Sequence, residues 1–193
     1  MGAERLLQYF DSRETAIERE RDDPYRYGTE LPHWELADKQ LADHSELLIL
    51  GGNRSGKSEY CAKRVVETLV KNPGATIWCF TTSSQNSIAH QQASIYRYLP
   101  KEYKKLGRSR TYYVSFSHKN GFTSSSFILP NKSQCVFRNF QQDIKTVEGG
   151  ECGLISDPAE GTHPIGCWLD EEFNLSWLST LRYRCLTRAE EKT

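Results

Sequence analysis

Eight consecutive residues, Gly51-Gly52-Asn53-Arg54-Ser55-Gly56-Lys57-Ser58, fit the pattern G-x-x-x-x-G-K-[ST]. Glycines at these positions let backbone N–H groups curl around an anion, and a helix that begins near Gly56 aims its positive end at the same point. A lysine in the seventh place sets an ammonium against β- and γ-phosphates, and the hydroxyl that follows is suited to Mg2+. The pattern predicts that Gly51, Gly52, Asn53, Arg54, Ser55, Gly56, Lys57 and Ser58 hold the triphosphate of ATP, with Ser58 on the magnesium ion.

A phosphate loop hydrolyses nothing without a carboxylate at the end of a neighbouring strand. Asp170 follows the apolar residues Ile165, Cys167, Trp168 and Leu169, and Glu171 and Glu172 come next. One acid is then expected to organise the metal (Asp170) and the next to activate water (Glu171), with Glu172 as the competing base. Taken alone, three acids after an apolar run also describe a helix N-terminus. Charge on a transferred phosphoryl group calls for an arginine, and Arg54, Arg138, Arg182, Arg184 and Arg188 are all candidates between which sequence does not choose. Upstream, Gln40 has an amide able to read an adenine edge and Trp34 a ring able to cover it; both equally suit packing.

The elements that must carry these residues follow from hydrophobic spacing. Leu47 to Leu50 reads as a buried strand entering the glycine loop, and Ala62, Val65, Val66, Leu69 and Val70 recur at helical spacing after it, until Asn72-Pro73-Gly74 ends the pattern. Ala75 to Phe80 reads as a second buried strand, followed by Ser83 and Ser84 as caps of a helix that runs to Leu99-Pro100. The alternation indicates a parallel sheet. Residues 111 to 140 hold three β-like runs separated by Lys119-Asn120-Gly121 and Pro130-Asn131-Lys132, which predicts an antiparallel meander added to that sheet. A glycine- and proline-rich loop leads to the strand at 165–169, and a last helix covers about 175 to 191. Ahead of all this, Ala3 to Arg21 reads as an appended helix, and 24 to 46 as irregular chain anchored by Trp34 and Leu36. The expected fold class is α/β, a P-loop NTPase with a mostly parallel sheet: residues 1–30 an N-terminal helical appendage, 31–193 the ATPase domain.

Composition excludes several classes. Hydrophobic residues at 37% and charged residues at 26% fit a soluble globular chain. No apolar run reaches bilayer length, and the first ten residues lack the form of a secretory signal. Twenty-five basic residues balance twenty-five acidic ones, so bulk charge does not announce a nucleic-acid binder. A local basic cluster from Lys101 to Arg110, with Tyr103 and Tyr112 nearby, suits either phosphate contacts or a solvated loop. The six cysteines (Cys61, Cys79, Cys135, Cys152, Cys167, Cys185) form no CxxC pair, and free thiols are expected.

Taken in order, the loop GGNRSGKS, the segment NGFTSSSFILPNKSQCVFRNF and the strand end WLDEE resemble the ATPase domain of phage terminase large subunits. The likeness spans roughly residues 33 to 190. It implies a packaging motor of the additional-strand, catalytic-glutamate class, working as a homo-oligomeric ring at a capsid portal protein, with a terminase small subunit as partner. It also implies movement of double-stranded DNA on ATP hydrolysis in the cytoplasm of the infected bacterial host. The family continues beyond the acidic strand end into a further strand and a nuclease domain, whereas this sequence ends at Thr193. Two other readings stand beside it: a helicase- or repair-like P-loop ATPase, and a truncated, non-catalytic nucleotide-binding module.

Overall fold

The computed structural model describes residues 3–104, 114–147 and 150–190, with side chains described between 9 and 185 within those ranges. Helices α1 (Ala3–Asp22), α2 (Pro24–Tyr27) and α3 (Pro32–Asp43) precede the glycine loop, and α4 (Lys57–Lys71) follows it. Strand β1 (Thr76–Thr81) leads into α5 (Ser84–Asn86), a π-helical stretch (Ser87–Gln92) and α6 (Ala93–Tyr98). Strands β2 (Phe116–Ser117), β3 (Gly121–Phe122), β4 (Ser126–Ile128), β5 (Gln134–Asn139) and β6 (Cys167–Leu169) come next, and α7 (Ser176–Glu190) ends the described chain. Among the described residues no helix is long and apolar enough to cross a membrane.

The main sheet has the order β4-β5-β1-β6. β1 runs parallel to β5 on one side and to β6 on the other, while β4 pairs antiparallel with β5 at one edge. β1 is central, and its side chains alternate between two cores. Ile77 and Cys79 join Val65, Val66 and Leu69 of α4, Ile95 of α6 and Phe137 of β5 on one face. Trp78 and Phe80 join Val147, Cys152, and Trp177 and Leu181 of α7 on the other. The α4 pattern read from sequence holds, since Ala62, Val65, Val66 and Leu69 are all fully buried. Its C-terminal carbonyls, left over by the helix, are taken up by the β4–β5 turn, where Asn131 Nδ2 and Ser133 Oγ donate to Leu69 O at 2.8 and 2.7 Å.

Several expectations need correction. Leu47 to Leu50 is not a buried strand: residues 46–50 carry no regular structure, and Leu48 and Leu50 are 79% and 82% exposed. A strand requires a ladder partner; among the described strands β6 pairs only with β1, and none pairs with 47–50. The stretch 24–46 is not irregular, because Pro32 starts α3 at its first turn instead of breaking a helix, and good helix formers follow. Trp34 anchors α3 but Leu36 faces solvent. The meander is also different from its expected form. The Asn120-Gly121 turn does build a hairpin, β2 with β3, as a separate two-stranded ribbon, but β5 is a parallel member of the main sheet and not part of an insert.

Candidate functional site

The glycine loop folds back on its own lysine. Lys57 Nζ donates to Gly51 O at 2.7 Å, Gly52 O at 2.9 Å and Ser55 Oγ at 3.3 Å, so the ammonium fills the hollow of the loop. Arg54 (φ 63°) and Gly56 (φ 82°) take left-handed conformations that turn the chain into α4. Gly56 is needed for space as well as for φ, since a Cβ there would lie 2.9 Å from Leu31 Cδ1 and 3.4 Å from Trp34 Nε1. The start of α3 thus closes one side of the loop, and His33 Nε2 reaches Ser55 O at 2.9 Å. Gly51, Gly52, Asn53, Arg54 and Ser58 are exposed, and the loop is an open surface feature.

Two observations make this segment fit an anionic phosphate group. Gly56 caps α4 without a side-chain acceptor, which leaves the first-turn N–H groups for an outside partner. Lys57 has only neutral oxygens as its described hydrogen-bond partners, so its charge is uncompensated by any carboxylate in contact.

The acids sit at the end of β6. Asp170 N donates to Phe80 O at 2.9 Å, which carries the β1–β6 pairing one residue past the strand. Burial raises the Asp170 pKa, the Glu171 charge raises it further, and the His90 and Lys57 charges act in the opposite direction. Lys57 and Asp170 therefore share one electrostatic neighbourhood. Cys61, one turn along α4 from Lys57, belongs to it too: burial pushes its thiol up to about 12, with the Asp170 charge adding to the effect.

Glu171 adopts φ 67°, unusual for a residue with a Cβ and a feature that clusters at functional sites. Its Oε2 accepts from Thr82 Oγ1 at 2.8 Å and from Thr81 Oγ1 at 3.5 Å, and Asn86 Nδ2 donates in turn to Thr82 Oγ1 at 2.8 Å. The end of β1 thereby holds the carboxylate that follows β6. Ser83 caps the next helix as expected, accepting from Asn86 N at 3.2 Å. That helix changes to π geometry at Ser87–Gln92, where Gln91 Nε2 donates to Phe80 O at 3.0 Å, the carbonyl that also receives Asp170 N.

Other sequence candidates lie apart from this group. Gln40 is exposed on α3, six positions beyond Trp34, which is roughly 9 Å of helix. Trp34 is buried against Tyr60, with a ring-to-ring separation of 5.9 Å. Glu172 is exposed. Arg138 lies over the Trp78 ring at 5.0 Å, and Arg182 pairs with Glu46. Arg184 carries the carbonyl that accepts from Cys152 N, and the side chain of Arg188 lies outside the described residues. Of the basic cluster, Lys105, Arg108, Arg110 and Tyr112 also lie outside them; Lys101 pairs with Asp22, and Lys104 Nζ donates to Arg97 O at 2.8 Å. A polar cavity of about 320 Å³ lies away from the loop, bordered by Ser84, Gln92, Arg138 and Asn139 near the ends of β1 and β5.

Sequence reasoning missed Thr82 and Asn86 as holders of Glu171, and His90 and Gln91 as neighbours of Asp170. The signal was present in part: four hydroxyl residues end β1, and a His-Gln-Gln run interrupts an otherwise helical pattern. It also missed the meeting of Cys152, Cys167 and Cys185, whose sulfurs lie within 4.8 Å of one another. Comparison of the chain with protein-family models, with curated proteins and with solved structures returns no match.

Proposed function

We propose that the chain binds ATP with Mg2+ at the Gly51–Ser58 loop and hydrolyses it, and that it serves as the motor domain of a terminase large subunit acting on double-stranded DNA. The observation that carries the ATPase reading is the Lys57 ammonium, charge-unpaired at an uncapped helix start and within electrostatic reach of Asp170. The narrower reading rests on the resemblance of three segments in order, GGNRSGKS, NGFTSSSFILPNKSQCVFRNF and WLDEE. A small subunit, a portal protein, a ring of copies and the host cytoplasm come with that resemblance and stand as part of the proposal.

In this reading Lys57 exchanges the carbonyls of Gly51 and Gly52 for phosphate oxygens, and the first-turn amides of α4 take the rest of the negative charge. Ser58 and Asp170 would hold the magnesium ion, which neutralises charge on the phosphates when bound. Glu171 accepts the proton of the attacking water, with Thr82 and Asn86 fixing its direction. Arg54 is the loop residue nearest to hand for transition-state charge.

Titration with a fluorescent ATP analogue and phosphate-release assays test this. Lys57→Ala is expected to lose nucleotide binding. Glu171→Gln is expected to keep binding and lose turnover by on the order of a hundredfold or more. A wild-type chain that binds no nucleotide sinks the proposal, and normal turnover in Glu171→Gln hands the base role to Glu172. Stimulation by double-stranded DNA, then packaging into empty capsids, would separate the motor from a helicase- or repair-like ATPase. One observation favours the non-catalytic module: residues 47–50, which lead into the loop, have no sheet partner among the described strands.

A further inference from the structure

Cys152 comes from the loop before β6, Cys167 from β6 itself and Cys185 from α7, so the three are brought together only by the fold. Cys152 Sγ lies 3.7 Å from Cys167 Sγ and 3.1 Å from Cys185 Sγ, and all three sulfurs fall within 4.8 Å of one another. A cation held by thiolates at about 2.3 Å separates its sulfurs by roughly 3.8 to 4.0 Å in tetrahedral or trigonal geometry. The Cys152–Cys167 side is within about 0.3 Å of that size, and the Cys152–Cys185 side must open by roughly 0.7 to 0.9 Å. Cys152 is fully buried, whereas Cys167 and Cys185 are half-buried.

Charge is arranged to match. Hydrogen bonds from Cys152 and Cys167 pull the Cys185 thiol below its ordinary range, and the same contacts hold Cys167 well above its own, so the bare site favours one thiolate with two thiols donating to it. Arg138 lies close enough for its charge to act on Cys152 and Cys167, and its Nε is buried without a hydrogen-bond partner. Three thiolates and one divalent cation sum to a single negative charge, which one guanidinium offsets. The other close pair, Cys79 and Cys135 at 3.7 Å, lacks these features: both are fully buried and no third ligand joins them among the described residues.

We propose that Cys152, Cys167 and Cys185 form a three-thiolate site for one thiophilic, filled-shell divalent cation of the zinc class, with water in the remaining position. The site is distinct from the glycine loop. It ties α7 to β6, three residues before Asp170, and its success or failure is independent of nucleotide binding.

The test is cadmium titration of the full chain, reduced and stripped with chelator, followed by the thiolate-to-metal charge-transfer absorbance. A band that saturates at one equivalent is expected, with affinity at least tenfold weaker in each of Cys152→Ser, Cys167→Ser and Cys185→Ser and unchanged in Cys61→Ser. Absence of a band from the reduced chain, or a band indifferent to Cys185→Ser, overturns the site. Alkylation mapped by mass spectrometry on the wild-type chain decides the case where a variant fails to fold. Zinc should protect Cys152, Cys167 and Cys185 and leave Cys61 as it was; equal labelling of all three with and without zinc overturns the proposal.

Discussion

Asp170 is held against its own ionisation. Its folded pKa is raised above the ordinary 3.8, burial first and Glu171 second, so the folded chain holds this proton more tightly than the unfolded chain does. Stability from this group is therefore full below the unfolded value and is lost as pH rises through the folded one. Asp170→Asn removes a charged form that costs stability, and it is expected to raise the thermal midpoint of the ligand-free chain at neutral pH. That gain should vanish below about pH 4, where both states of the wild type are protonated. Melting curves at the two pH values check the sign. If the proposed ATP–Mg2+ site is correct, Mg2+ with nucleotide is expected to stabilise the wild type more than the Asn variant.

At the scale of elements, the π-helical stretch Ser87–Gln92 does work that a regular helix would not. It turns Gln91 inward to the Phe80 carbonyl, while Gln92 Oε1 accepts from Phe122 N at 2.9 Å and so fastens the β2–β3 ribbon. Gln91→Leu keeps the volume and deletes one hydrogen bond to a carbonyl that Asp170 N still satisfies, so it is expected to cost no more than about 0.5–1.5 kcal/mol in a urea melt. Elements with strong periodicity were legible: α4, β1, β6 and α7 stand within a residue or two of their reading from sequence. The π stretch was not, because its two buried glutamines look like surface residues until the partners Phe80 and Phe122 are known. α3 is hidden in the sequence because Pro32 suits a break as well as the first turn of a helix, and the strand expected at 47–50 rests on four apolar residues whose neighbours the sequence does not reveal.

For the whole molecule, α3 is fastened to α4 through Asp38. Its carboxylate accepts from Tyr60 OH at 2.8 Å and from Arg64 Nε and Nη2 at 2.8 and 2.6 Å, and Arg64 is nearly buried. Asp38→Ala leaves Tyr60 and Arg64 short of a partner and is expected to cost about 1.5–3 kcal/mol, or roughly 3 to 12 °C in thermal midpoint for a chain of this size. Because the same packing seats Trp34 beside Gly56, the nucleotide affinity proposed for the loop is expected to fall with it in the same titration. Much of the candidate site was legible, since the glycine loop, Lys57, Asp170 and Glu171 are named by spacing alone. Its supports were not, for Thr82, Asn86 and Asp38 act through pairings that only the fold creates.

The outer side of β6 has a consequence for handling the protein. Cys167–Leu169 presents a row of backbone groups that no described strand covers, and Leu48 and Leu50 stand bare in a chain segment with no ladder of its own. One molecule thus carries both halves of a fastener, a template rim and a bare apolar segment, and two molecules meeting rim to segment would close it. Crowding should turn the chain sticky, and a short β-forming peptide supplied in excess should keep it clear.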